Sequence, residues 1–150
     1  MIGYASYSKS LQLMTDTLMP IERSRVMRRI RSSDTKPEID LRRALHRLGY
    51  RYRLHVRALP GCPDIVLPKY GAVIQVRGCF WHSHTCIDGH LPKSRQDYWE
   101  PKLAGNKARD RRNDRELRKL GWRVITVWEC QVASQKKLSR QISRIMRLLS

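Results

Sequence analysis

Between Cys79 and Cys86 the chain reads Cys-Phe-Trp-His-Ser-His-Thr-Cys, placing two thiols and two imidazoles within eight positions. Thiolate and imidazole are the ligands a tetrahedral zinc site takes. Cys130, in Trp128-Glu129-Cys130, offers a distant thiol that would tie this loop to the rest of the fold, which suits a structural site. Five groups (Cys79, His82, His84, Cys86 and Cys130) compete for four places, so one histidine is left for chemistry. His82 and His84 are two apart and share a face on an extended backbone, so spacing does not choose between them. His90 is an outside candidate. Cys62, in the Pro-rich link 59–63, reads as a small buried side chain. No apolar leader opens the chain, so disulfides are not expected and the expected compartment is the cytoplasm.

Pro63-Asp64 begins an apolar run, Ile65-Val66-Leu67. A carboxylate at the start of a buried strand is costly unless it binds a cation or a helix end. About ten residues later, Gln75-Val76-Arg77 puts two polar side chains on one face of a second strand. Pro-Asp followed at that distance by polar-x-basic is the outline of the PD-(D/E)xK nuclease core. There a carboxylate and a backbone oxygen hold Mg²⁺, which polarises a phosphate and makes water more acidic. A nearby basic group stabilises the charge that develops. A plainer part also fits these residues: an Asp capping a turn before an alternating, half-exposed strand.

The scaffold for these groups is legible in the apolar pattern. Arg23–Arg31 reads as a short basic helix with Val26, Met27 and Ile30 on its apolar side. Thr35 as N-cap, Pro37 in the first turn and Glu38 closing a capping box predict a helix start. Leu41, Ala44, Leu45 and Leu48 continue at helical spacing to Gly49, the stop. Three strands are predicted, at 50–56, 64–67 and 72–76, punctuated by the links 59–63 and 68–71. Residues 78–92 read as irregular. Ser94 to Asp97 reads as a capping box that opens a long basic helix to Leu120, with Pro101 interrupting or kinking it. Trp122–Trp128 reads as a fourth strand. Leu138, Ile142, Ile145 and Leu149 predict a final amphipathic helix. The fold class is α/β, a central mixed four-stranded sheet flanked by helices. Residues 1–19 read as a loose extension and 20–150 as a single domain.

The 150 residues carry 31 Lys and Arg against 13 Asp and Glu, a formal charge of +18. That much charge on one domain repels itself, and a polyanion relieves the strain. The Arg fork suits phosphate and guanine edges, so nucleic acid is the leading partner. The stretch 102–119 holds eight Lys and Arg against Asp110, Asp114 and Glu116, more than a balanced solvated face would carry. Phosphate contact is therefore expected from part of it, with Arg109 and Arg112 as candidates. No apolar run approaches the about 20 residues that cross a membrane, so no membrane partner is expected. A hydrophobic fraction of 41% allows a real core.

Gly78-Cys79-Phe80-Trp81-His82 and Trp128-Glu129-Cys130, taken with 35–38, 60–64, Tyr98-Trp99 and 106–124, closely resemble the very short patch repair (Vsr) DNA mismatch endonucleases. The resemblance runs from about Glu22 to Gln131. It implies a restriction-endonuclease-like core with a zinc-stapled loop. It also implies a nick on the 5′ side of the T in T·G mismatches left by deamination of 5-methylcytosine, made by Mg²⁺-dependent hydrolysis. By position, Asp64 corresponds to the Mg²⁺ carboxylate and the Val76 carbonyl to the second protein contact. His82 corresponds to the general base and Glu38 to the acidic residue beside the metal. Cys79, His84, Cys86 and Cys130 correspond to the structural zinc set. Phe80, Trp81 and Trp99 correspond to an aromatic wedge entering the base stack, with Met27 acting from the other groove. Separating a base step costs a few kcal/mol and least at a mispair, so such a wedge favours mismatches. Arg77 is permanently charged, so it suits phosphate stabilisation and not base catalysis. The partner implied is double-stranded DNA with a T·G mismatch, with a mismatch-repair accessory protein by analogy. A monomer is expected, since a mismatch is asymmetric.

Each residue also has a plainer part. Glu38 reads about equally as a capping-box residue alone, and the two parts are compatible. Phe80, Trp81 and Trp99 read as core aromatics without the resemblance, and Tyr98, Trp122 and Trp128 as packing. Two other functions fit the same motifs. One is a sequence-specific restriction or nicking endonuclease that needs no mismatch. The other is a non-catalytic, zinc-stapled DNA-binding module, against which Asp64 and His82 argue.

Overall fold

Helix α1 (Lys36–Arg47) starts where Thr35 and Pro37 predict, with Pro37 in the first turn. The predicted capping box does not close: Thr35 makes no side-chain cap bond, and its hydroxyl donates instead to Glu38, which also accepts the Asp34 N–H, at 3.0 Å each. Gly49 follows the helix at φ +90°, a left-handed stop that a side chain would strain. Leu41 and Leu45 are fully buried, whereas Leu48 lies past the last turn and is exposed. The computed structural model describes Met19, Ile21 and residues 32–150. The expected basic helix with Met27, and residues 1–18, lie outside the described residues.

Four strands follow: β1 (Arg53–Leu54), β2 (Ile65–Leu67), β3 (Ala72–Arg77) and β4 (Arg123–Trp128). They lie in the order β1-β2-β3-β4. The first two pairings are antiparallel and the β3–β4 pairing is parallel, so the sheet is mixed as expected. The first strand is far shorter than the predicted 50–56. Only Arg53 and Leu54 pair, because His55 turns to φ +46° and ends the ladder. Parallel neighbours need a crossover. Helix α2 (Gln96–Lys119) supplies it as one continuous helix with Pro101 inside. Its N-cap is Arg95 at φ +50°, with no side-chain cap bond, so the predicted Ser94–Asp97 capping box does not form.

Strand alternation sorts the core into two layers. Ile65, Leu67, Ala72, Ile74, Ile125 and Val127 meet α1 and α3 (Gln135–Leu149) on one face. Leu138, Ile142, Ile145 and Leu149 form the buried stripe of α3, as their spacing predicts. On the other face Val66 and Val73 pack against Leu117 of α2. Gln75 and Arg77 alternate onto this second face, toward α2, and that places the polar end of β3 beside the helix.

Candidate active site

Asp64 immediately precedes β2, and the antiparallel pairing brings it to the far end of β3. The Val76 amide donates to Asp64 Oδ2 at 2.7 Å. Burial pushes the Asp64 carboxyl up to about 6, and the nearby Glu38 charge adds to this, while the Val76 amide opposes it. A bound cation would reverse that cost. Asp64 thus has the environment of a metal carboxylate, with the Val76 main chain beside it.

Glu38, on α1, is 3% exposed. His55 stands between it and Asp64. Its Nε2 lies 3.6 Å from Asp34 and 3.7 Å from Glu38, and its Nδ1 lies 3.9 Å from Asp64. Nε2 is buried without a hydrogen-bond partner among the described residues. The ligand atoms of Asp34, Glu38 and His55 all lie within 4.8 Å of one another, a spacing that could hold a cation. Asp34 also pairs with Arg42 at 2.6 Å, whose hydrogen bond holds the Asp34 carboxyl below its ordinary range.

On the α2 side, His82 Nδ1 bonds Asp110. Burial pushes the Asp110 carboxyl up, but the His82 bond and the charges of His82, Arg77 and Arg109 prevail and hold it below the usual value. Arg77 donates from Nη2 to Asp114 Oδ1 at 2.7 Å and from Nη1 to Thr126 at 3.4 Å. Its Nε lies 3.9 Å from Asp110. Arg77, His82, Lys107, Asp110 and Arg111 help to line a cleft of about 280 Å³.

Cys79, His84, Cys86 and Cys130 converge, with their ligand atoms within 4.8 Å of one another. The structure therefore brings His84, not His82, to the three thiols, resolving what spacing left open. The loop folds back on itself, the His84 amide donating to the Cys79 carbonyl at 2.9 Å. Gly89 closes over it, where an added Cβ would lie 1.9 Å from the His84 carbonyl oxygen. His84 stacks on Trp128 at 4.2 Å, anchoring the loop to β4. Burial raises the Cys79 and Cys130 thiols and lowers the His84 imidazole. Three thiols and an imidazole at this spacing fit a tetrahedral zinc ion, which would ionise the thiols it binds. Cys62 stands apart, half-buried rather than buried, in a left-handed turn at φ +50°.

Phe80, Trp81 and Trp99 form an edge-to-face cluster with centroids 5.1, 5.2 and 6.1 Å apart. Phe80 and Trp99 are 6% and 2% exposed and pack on Leu103, whereas Trp81 is half-buried. Tyr98, expected in the core, is exposed, with Arg95 and Lys102 cations over its ring at 5.6 and 5.4 Å. Arg109 and Arg112 are exposed on α2. Asp110 and Asp114 turn inward to Arg77 and His82, so the outer face of this helix is more basic than its composition.

Three residues of the site were not singled out by sequence. Asp110 and Asp114, four apart in a basic helix, counted only as charge balance, yet that spacing already puts both on one face. His55 carried no signal beyond being a titratable group just before the turn that leads to Asp64.

The comparisons with known proteins agree on one family. The profile described as "DNA mismatch endonuclease Vsr" matches residues 15–88. The type II nicking enzyme V.XorIIP of Xanthomonas oryzae pv. oryzae is 48% identical over 133 residues, covering 89% of this chain and 98% of that protein. The type II nicking enzyme V.NmeAIP of Neisseria meningitidis is 43% identical, covering 89% and 96%. The DNA mismatch endonuclease Vsr of Escherichia coli is 40% identical over 126 residues, covering 84% and 81%.

Proposed function

The chain belongs to the Vsr DNA mismatch endonuclease family and is a DNA endonuclease, and from that premise we propose that it nicks one strand on the 5′ side of the T in a T·G mismatch. The observation that carries this reading is at the end of β3. Val76 holds the Asp64 carboxylate, and the next residue, Arg77, abuts the Asp110 that bonds His82. A carboxylate fit for a cation and an imidazole oriented by a carboxylate thus flank two consecutive residues.

Asp64 and the Val76 carbonyl would hold magnesium, which when bound supplies positive charge to the scissile phosphate. The His82 Nδ1–H is spent on Asp110, which leaves Nε2 as the proton acceptor for the attacking water. A positioned base of this kind contributes about 10²–10⁴-fold. Glu38, held by its two hydrogen bonds, lies close enough to be felt electrostatically at Asp64, and its carboxyl would add to the pull on a cation. Cys79, His84, Cys86 and Cys130 would hold structural zinc, fixing the loop that carries His82. Trp81, with Phe80 and Trp99 behind it, would act as the wedge that tests a base step. Met27 would meet the DNA from the other groove. Arg109, Arg112 and the outer face of α2 would take up phosphates. We take the working form to be a monomer in the cytoplasm, with an accessory mismatch-repair protein as a candidate partner.

Strand-specific cleavage of labelled duplexes tests this. A single nick 5′ of the mismatched T, dependent on added Mg²⁺ and absent with T·A, is the expected result. Several relatives carry the name type II nicking enzyme, which favours one second reading, a nickase that reads its flanking sequence and needs no mismatch. Equal cutting of T·A and T·G duplexes would establish that reading instead.

A further inference from the structure

We propose that Asp114, acting through Arg77, is a positioning residue that fixes Asp110 and with it the imidazole of His82. This deepens the reading of His82 as the base and rests on it. The sequence suggested Arg77 as a phosphate contact. Its guanidinium is otherwise engaged: Nη2 on Asp114, Nη1 on Thr126, and Nε toward Asp110. Its side chain is only 12% exposed, and that of Asp114 only 11%. Each of its three nitrogens thus faces a protein acceptor, and the two shortest contacts, to Asp114 and Thr126, hold the fork toward α2 and β4.

The four groups form a row: Asp114, Arg77, Asp110, His82. Asp110 and Asp114 are one turn apart on α2, and Arg77 reaches between them from the last position of β3. A lone buried carboxylate is costly, and its removal from a buried pair leaves the partner charge unbalanced. Asp114 therefore keeps the Arg77 fork at the level of Asp110. Without it the guanidinium is free to close fully on Asp110 and draw that carboxylate away from His82. A displacement on the order of 1 Å in a catalytic constellation is enough to cost a large rate factor. The bonds that link Asp114 to His82 run through Arg77 and Asp110, so its effect is read through Arg77.

The test uses the full chain and two readouts. One is the low-field proton resonance of the His82 Nδ1–H, assigned by its loss in His82→Gln. The other is single-turnover cleavage of a T·G duplex. For Asp114→Asn the resonance shifts or vanishes, the rate at saturating DNA falls about tenfold, and the DNA concentration giving half-maximal rate is unchanged. In an Asp110→Asn background the same change adds nothing, because there is no oriented carboxylate left to protect. Asp114→Glu keeps the charge and covers the case in which Asp114→Asn does not fold. It moves the fork by one methylene, with an expected rate loss of about threefold at unchanged DNA affinity. An unmoved resonance, a loss that multiplies in the double variant, or weakened DNA binding at an intact rate would each overturn the proposal. If the parent protein cuts no duplex, the reading of the function fails, while the resonance still decides whether Asp114 orients His82.

Discussion

The Val76 amide donates to Asp64 Oδ2 at 2.7 Å, across the antiparallel pair β2–β3. That bond aims the carboxylate at the end of the sheet while burial raises its pKa to about 6, above the about 3.9 of an unfolded chain. The folded state then binds this proton more tightly than the unfolded one. Stability therefore falls as pH rises from about 4 to about 6, and the deficit persists above that. Asp64→Asn should be more stable to unfolding at pH 8 in buffer without added magnesium, by up to about 3 kcal/mol, and melt at a correspondingly higher temperature. The two proteins should converge near pH 4. The same variant should lose cleavage by at least about 10³-fold. Equal melting curves at pH 8 would show that the site is already neutralised.

Removal of the Cys79, His84, Cys86 and Cys130 cluster should be felt as lost stability rather than as a change in chemistry. Elemental analysis should find one zinc per chain. Cys130→Ala, which cuts the loop from β4, should release the metal and lower the melting temperature by about 10 °C or more. Full zinc retention by that variant would take Cys130 out of the set.

His82→Ala and Asp110→Asn should both slow cleavage at saturating DNA without weakening binding. The first should cost about 10²–10⁴-fold and the second less, since the imidazole remains but is no longer held. The losses should not multiply in the double variant, because the two side chains share one hydrogen bond. Full activity in His82→Ala would move the base elsewhere, with His55 the next group to test.

The aromatic cluster divides by burial. Trp99→Ala should destabilise the fold by about 3–5 kcal/mol, since a buried ring leaves a cavity. Trp81→Ala should cost little stability but lower the preference for T·G over T·A by about tenfold, as a contact to an opened base step would. The measurements are thermal melting and competitive cleavage. A Trp81→Ala enzyme with unchanged discrimination would end the wedge assignment.

Arg112→Ala should weaken binding to matched and mismatched duplex alike and lower the salt slope of log K by about 1. Titrations at several ionic strengths would show it. An unchanged slope would place the DNA on another face.

What the sequence determined by itself was local or periodic. The stop at Gly49, the buried stripe of α3 and the alternation along β3 follow from spacing, because helices and strands repeat at fixed periods. The Cys79–Cys86 cluster was legible too, since few other functions gather those side chains so closely. What only the tertiary structure decided were relations across elements. Nothing in His82-Ser83-His84 says which ring faces the thiols; the return of the loop onto β4 does. Nothing local marks Asp110 and Asp114 as partners of Arg77, because α2 meets β3 only through the crossover between parallel strands. His55 reaches Asp34, Glu38 and Asp64 because a left-handed backbone ends β1 just there. Long-range pairing and burial set those distances, and a one-dimensional pattern does not encode them.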